Sequence, residues 1–290
     1  MANEHINWYP GHMKKTREMI QENLKLTNAA IEILDARIPA ASANPILGQL
    51  LQGKPKIVIL NKSDLADPEG NQAWVKELRQ QGAEPVCMNA LTGEGMTELY
   101  RAMNRIHQRI NENQTRKKPF RAMIVGIPNV GKSSLINRLA GKKSAKTGNK
   151  PGVTRGKQWI SLEPSVQVLD TPGILWPKFE DQNTALMLSY IGSIRDEILD
   201  REELALSLLD FLKKNAPGLL EERYRIQTEG RESLSLLEEI CQKRGFLLSG
   251  GRFDYARGAR TLTDEFRSGK MGRVTLQWPE GQKGGPACEK

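Results

Sequence analysis

The stretch FRAMIVGIPNVGKSSLINRLAG, residues 120–141, constrains the fold of this chain more than any other. FRAMIV is a short apolar run that predicts a buried strand, and KSSLINRLAG predicts an amphipathic helix. Between them GIPNVGKS fits G-x-x-x-x-G-K-[ST] in the strand–turn–helix context that this pattern needs. Gly126 and Gly131 let the backbone wrap phosphates closely. The loop's N–H groups, with Asn129, Val130 and Gly131 among its residues, converge at a helix N-terminus. Lys132 reaches the β- and γ-phosphates, the Ser133 hydroxyl binds Mg²⁺, and Ser134 stands beside it in the same loop. By itself the pattern says only that a nucleotide phosphate is held.

The rest of the chain supplies the sheet. AAIEILDARI (29–38), KIVIL (56–60), EPVCM (84–88), KQWISL and VQVLD read as further strands. HMKKTREMIQENLKLT, NPILGQLLQG, DPEGNQAWVKELRQQG and GEGMTELYRAMNRIHQRINEN read as helices between them, the third opened by Asp67 with Pro68 in its first turn. Alternating strands and helices predict an α/β fold with a mostly parallel, doubly wound sheet over residues 1–182. From about Asn183 the pattern turns helical, which predicts a small all-helical domain over 183–280 with one possible strand at RVTLQW. A Gly-rich tail, 281–290, is expected to be disordered.

Three more motifs fall at predicted strand ends. DTPG (170–173) puts Asp170 where it can hold Mg²⁺ through a water, and the N–H of Gly173 where it can bond a γ-phosphate. Thr154 in KPGVTRG lies between the two phosphate motifs, where a switch threonine meets Mg²⁺ and the γ-phosphate. NKSD (61–64) follows KIVIL. The Asp64 carboxylate offers paired acceptors to guanine N1–H and N2–H₂, which adenine lacks. The Lys62 stem lies along the base, Ser63 completes the loop, and Asn61 ties it to the phosphate loop. NALTGEG (89–95) stands where backbone meets guanine O6, with Asn89 in place of the usual serine and Ala90 after it. Any one of these is compatible with a chance turn; together they specify a guanine-nucleotide site for GTP and GDP.

Charge narrows the partner. The chain carries a net charge of +9, with twelve Lys or Arg and no Asp or Glu between Asn113 and Ile160. A triphosphate needs about two or three close cations. The surplus fits either a solvated basic face or a polyanion such as RNA. In the last predicted helix Arg257, Arg260 and Arg267 form one stripe, open to the same two readings. Apolar runs are too short to span a bilayer, and the first residues lack the apolar core of a signal peptide. A cytoplasmic protein, without membrane attachment and monomeric, is expected. Three scattered cysteines and three histidines offer no zinc-ligand spacing.

The motif order NKSD, NALTGEG, GIPNVGKSS, GVTR, DTPG resembles that of the circularly permuted GTPases. With NWYPGHM near the start, DARIP at 35–39 and a basic helical C-terminus, the chain is similar to the YlqF/YawG family over nearly its whole length. The resemblance implies a bacterial GTPase that acts late in assembly of the large ribosomal subunit, with the precursor subunit as partner. It also implies K⁺ dependence through Asn129, and His12 as the catalytic histidine beside Lys132 and Thr154.

The permutation has a physical basis. Nucleotide loops sit at the carboxyl ends of adjacent strands, so the site depends on the sheet and not on chain order. Joining the old termini through QTRKKP and cutting after DTPG leaves every loop in place. The new N-terminus is expected near the γ-phosphate. Ile174 replaces the water-orienting glutamine that Ras-like GTPases carry after DxxG, so slow hydrolysis is expected from the protein alone. Two other readings remain open from the residues: an RNA-binding scaffold with a structural nucleotide, and a switch with non-ribosomal protein partners.

Overall fold

A computed structural model of the chain describes residues 12–141, 158–163, 165–173, 175, 181–194 and 200–281. Two compact units are present. Among the described residues, the first runs to Ala185 and also takes in Thr275–Gly281, and the second is Leu186–Val274.

The first unit is built on a six-stranded sheet: β1 (Ala29–Asp35), β2 (Lys56–Asn61), β3 (Glu84–Met88), β4 (Phe120–Val125), β5 (Gln158–Glu163) and β6 (Val166–Asp170). Their order across the sheet is β3-β2-β1-β4-β6-β5, parallel except for the antiparallel edge pair β5–β6. Strands β1, β2 and β3 are laid down outward in one direction, and β4 then crosses back to the other side of β1. That reversal is the switch point of a doubly wound sheet, where loops at neighbouring strand ends diverge and leave a crevice. All seven residues of β1 are buried, as its near-continuous apolar sequence requires of a central parallel strand.

The helices of this unit are α1 (His12–Leu24), α2 (Pro39–Ser42), α3 (Pro45–Leu50), α4 (Pro68–Gln80), α5 (Met96–Asn111), α6 (Lys132–Leu139) and α7 (Gln182–Tyr190), the last running into the second unit. Leu99, Met103 and Ile106 of α5 are buried at helical spacing. Trp74 and Leu78 of α4 join Leu34, Val58 and Leu60 in one core cluster.

The second unit contains α8 (Arg201–Asn215), α9 (Pro217–Tyr224), α10 (Ser233–Arg244) and α11 (Tyr255–Arg267). Leu208, Leu212, Leu236, Ile240, Leu262 and Phe266 form its apolar core. Gly258 lets α11 lie directly on α10, because a Cβ there would overlap the Cys241 sulfur. Glu265 is buried but well satisfied. It accepts from Arg223 Nε and Nη2 (2.9 and 2.7 Å) and from the Tyr224 hydroxyl (2.9 Å), with Arg244 at 3.3 Å.

One sequence expectation fails. RVTLQW is not a strand, and its last four residues belong to the first unit. Thr275–Trp278 bends at Leu276, where Leu276 N–H and Gln277 N–H both donate to the Arg37 carbonyl (2.9 and 3.3 Å). The backbone N–H groups of such a segment must find acceptors, and here the bend turns two of them onto one carbonyl in the loop after β1. The predicted tail lies, after Gly281, outside the described residues.

Candidate nucleotide site

The carboxyl ends of five adjacent parallel strands carry the candidate residues. Asp35 closes β1, Asn61 closes β2, Asn89 follows β3, Gly126 follows β4 and Asp170 closes β6. Asn61 is the hub. Its Nδ2 donates to the Val130 carbonyl of the phosphate loop (2.6 Å), and its Oδ1 accepts from Ala90 N–H (2.9 Å). One buried side chain therefore braces three loops that lie far apart in sequence. Gly131 (φ +100°) is required at this crossing, since a Cβ would overlap Asn61 Nδ2. Ala90 serves here as a brace, its N–H committed to Asn61. Asn89, the departure from the usual serine, accepts from Leu91 N–H and Thr92 N–H (2.9 and 3.2 Å) and so closes its own turn.

The NKSD loop leaves β2 with Lys62 in the left-handed region (φ +59°) and turns through the short helix Ser63–Leu65. Asn71 Nδ2 donates to the Ser63 carbonyl (2.9 Å). Asp64 Oδ1 is buried with no hydrogen-bond partner among the described residues, the condition expected of an acceptor meant for a ligand's N–H groups.

Lys62 is held by a buried carboxylate that the sequence reading used only as a family mark. Asp35 Oδ2 accepts from Lys62 Nζ and from Arg37 Nη2, both at 2.9 Å, while Asp35 Oδ1 accepts from Arg37 Nε (2.9 Å). Burial pushes the Asp35 carboxyl up, but Arg37 and then Lys62 overcome this and hold it well below the usual carboxylate range. The signal was available: an acid at the end of a strand whose neighbours all carry motifs there.

On the phosphate side, Lys132 begins α6, is buried, and donates through Nζ to the Ile127 carbonyl (2.6 Å). Gly173 lies against this loop so closely that a Cβ would fall 2.8 Å from Pro128 N and 2.9 Å from Lys132 Nζ. Thr171 Oγ1 donates to the Ile124 carbonyl (2.7 Å) and fastens DTPG to β4. Burial pulls the Lys132 ammonium down to about 8, only partly opposed by Asp170. Burial likewise pushes the Asp170 carboxyl up to about 6, against the pull of Lys132. Two groups drawn toward neutrality in one place are suited to a highly charged ligand.

The geometry is that of a guanine-nucleotide site, and comparison with known proteins agrees that the chain is a GTPase. A family model described as "50S ribosome-binding GTPase" matches residues 121–244, and one described as "RsgA GTPase" matches residues 48–180. Ribosome biogenesis GTPase A of Bacillus cereus is 42% identical over 279 residues, covering 95% of this chain and 94% of the relative. The chain belongs to the ribosome biogenesis GTPase A family. Two solved structures are similar as well. The GDP-bound structure of TM YlqF has a TM-score of 0.69 at 29% identity, covering 90% of this chain and 99% of that one. GNP-bound YlqF from T. maritima has a TM-score of 0.66 at 30% identity, covering 92% and 99%.

This ribosome biogenesis GTPase accordingly hydrolyses GTP, and GTPases of this kind require Mg²⁺. The residues present fit that ion: Asp170 Oδ1 is buried without a partner among the described residues at the end of β6, which pairs with β4, the strand before the phosphate loop and the Ser133 turn of α6. Thr154 and Ile174 lie outside the described residues, as does the His12 side chain. Asn129 takes φ +63° in the phosphate loop.

The arginine stripe divides. Arg257 and Arg260 are exposed on α11, Arg257 with its guanidinium 4.4 Å above the Phe246 ring. Arg267 does not belong with them. It donates to the Ser189 and Tyr190 carbonyls (2.7 and 2.9 Å), capping the end of α7.

Proposed function

We propose that this GTPase docks on the precursor of the large ribosomal subunit in its GTP form, hydrolyses GTP there at a late assembly step, and leaves in its GDP form. The observation that carries the reading is the near-full-length similarity to ribosome biogenesis GTPase A, supported by the family model whose description names 50S ribosome binding. Asp64 and Lys62 read guanine, while Asn61 keeps the base loop in register with the phosphate loop. Lys132 bonds the β- and γ-phosphate oxygens, and Gly173 N–H reports the γ-phosphate. Ser133, Thr154 and, through a water, Asp170 would hold Mg²⁺, which would neutralise phosphate charge. Asn129 would be the ligand for K⁺. His12 orients the attacking water once the subunit has swung it inward, so turnover is slow until the protein docks.

In this reading the protein is a cytoplasmic monomer, and Arg257 and Arg260 contact rRNA backbone. Arg267 is left to its helix cap. The test is pelleting with purified precursor subunits under a non-hydrolysable GTP analogue and under GDP, over a salt series. Binding should favour the analogue and fall steeply with salt, as counterion release requires. Arg257→Ala with Arg260→Ala should lower the slope of log affinity on log salt by about 2, roughly one per phosphate contact. Equal pelleting under both nucleotides, or a flat salt response, would sink the reading.

A further inference from the structure

The base loop is gripped at both ends by a part of the chain more than two hundred residues away. Beyond the loop, Asp67 occupies the N-cap position of α4, yet its side chain makes no cap hydrogen bond. It bonds Thr275 instead: Thr275 N–H donates to Asp67 Oδ2 (2.7 Å), and Asp67 N–H donates to Thr275 Oγ1 (3.1 Å). Gly70 leaves room for this, because a Cβ there would overlap the Thr275 side chain. Ahead of the loop, Leu276 and Gln277 fix the Arg37 carbonyl, Arg37 chelates Asp35, and Asp35 holds the Lys62 ammonium. Two further bonds seat the segment: Trp74 Nε1 donates to the Gln277 carbonyl and Ala41 N–H donates to Gln277 Oε1, both at 2.7 Å. Asp64 lies between the two grips.

We propose that Asp35, Arg37 and the segment Thr275–Trp278 are positioning residues for guanine recognition, so that seating of the segment and binding of the base are linked. The physical basis is over-determination. Lys62 sits at a positive φ that an unsupported lysine leaves readily, and its side chain is only a quarter exposed. Asp35 and Arg37 are almost wholly buried, so neither charge can move without breaking pairs that water cannot replace. Loosening the segment frees Asp67 on one side and the Arg37 backbone on the other, and the Asp64 carboxylate between them loses its fixed direction. Linkage is reciprocal: a base that locks Asp64 and Lys62 must also hold the segment down. A segment that only covered apolar core would affect stability and not the choice of base.

This inference rests on NKSD as the guanine reader, and the experiment separates the two. The full chain is titrated with GDP and with IDP, which lacks the N2 amino group and so forfeits one of the two bonds to Asp64. Thr275→Val keeps the volume but removes the hydroxyl, and Trp74→Phe removes the indole N–H. Each should cut GDP affinity several-fold and shrink the GDP-over-IDP ratio, while IDP, which makes only one of the two bonds, loses less. In the unaltered protein, amide exchange of Leu276 and Gln277 should slow on adding GDP but not on adding pyrophosphate, which fills only the phosphate loop. An unaltered protein that binds GDP and IDP equally would refute the reading of NKSD. If the protein discriminates but both variants keep the full ratio, or if exchange ignores GDP, the positioning role is overturned and the base reader stands.

Discussion

The proposed base-reading and phosphate-holding halves of the site are built in different ways. On the base side, β1 to β3 end in loops braced by side chains: Asn61 to two loops, Asp35 to Arg37 and Lys62, and Asp67 to Thr275. These pairs are satisfied within the protein. On the phosphate side, closeness comes from backbone at Gly131 and Gly173, and the charged groups Lys132 and Asp170 are both displaced toward neutrality by burial. The first half is preorganised by the pairs that folding itself forms. The second holds charges whose best partners arrive with the ligand. On the proposed assignment the difference predicts that specificity and affinity separate on mutation: changes to the braced frame should act on the choice of base, and changes to Lys132 on all phosphates alike.

The largest effect should come from removing the chooser. Asp64→Asn gives up two charge-assisted bonds to guanine, a loss of about 10³-fold in GTP affinity at roughly 2 kcal/mol each. It should admit xanthosine triphosphate, whose C2 oxygen accepts from the new amide. Competition binding checks this, and a variant that still prefers GTP would mean the base is read elsewhere.

Lys132→Ala comes next, with a loss of about 10²-fold that is the same for GTP, ITP and XTP. Because the ammonium is a desolvated charge in the free protein, the ligand-free variant should melt no lower than the parent. A clear drop in melting temperature would break the comparison, since Lys132 would then be a brace like those on the base side.

The smallest effect is on the pH dependence of folding. Asp35 is held below its unfolded value of 3.8. Its stabilising contribution is therefore complete above that value and is lost as the pH falls below it. Asp35→Asn should be less stable than the parent at pH 7, because it leaves Arg37 buried without its counter-charge. It should also lose less of its remaining stability between pH 4 and pH 2. Urea unfolding at a series of pH values measures this, and parallel acid limbs for the two proteins would show that Asp35 carries no such role.

Residue order alone determined that this protein binds guanine nucleotide on a doubly wound sheet. Local chemistry suffices for that. GIPNVGKS needs its glycines and lysine side by side, NKSD needs its acid after a strand, and parallel strands must be apolar throughout. The sheet then tolerates the permuted order because loops meet at strand ends whatever chain joins them. What only the tertiary structure decided is long-range. Asp67 looked like a helix cap and is a clamp on Thr275; RVTLQW looked like a strand and ends in a strap on Arg37. Arg267 fitted a stripe by its spacing, and it caps α7 instead. In each case the side chain or backbone has several acceptable partners within its own neighbourhood. The one it takes depends on which distant group the fold brings within about 3 Å, a fact that helical or strand periodicity does not encode.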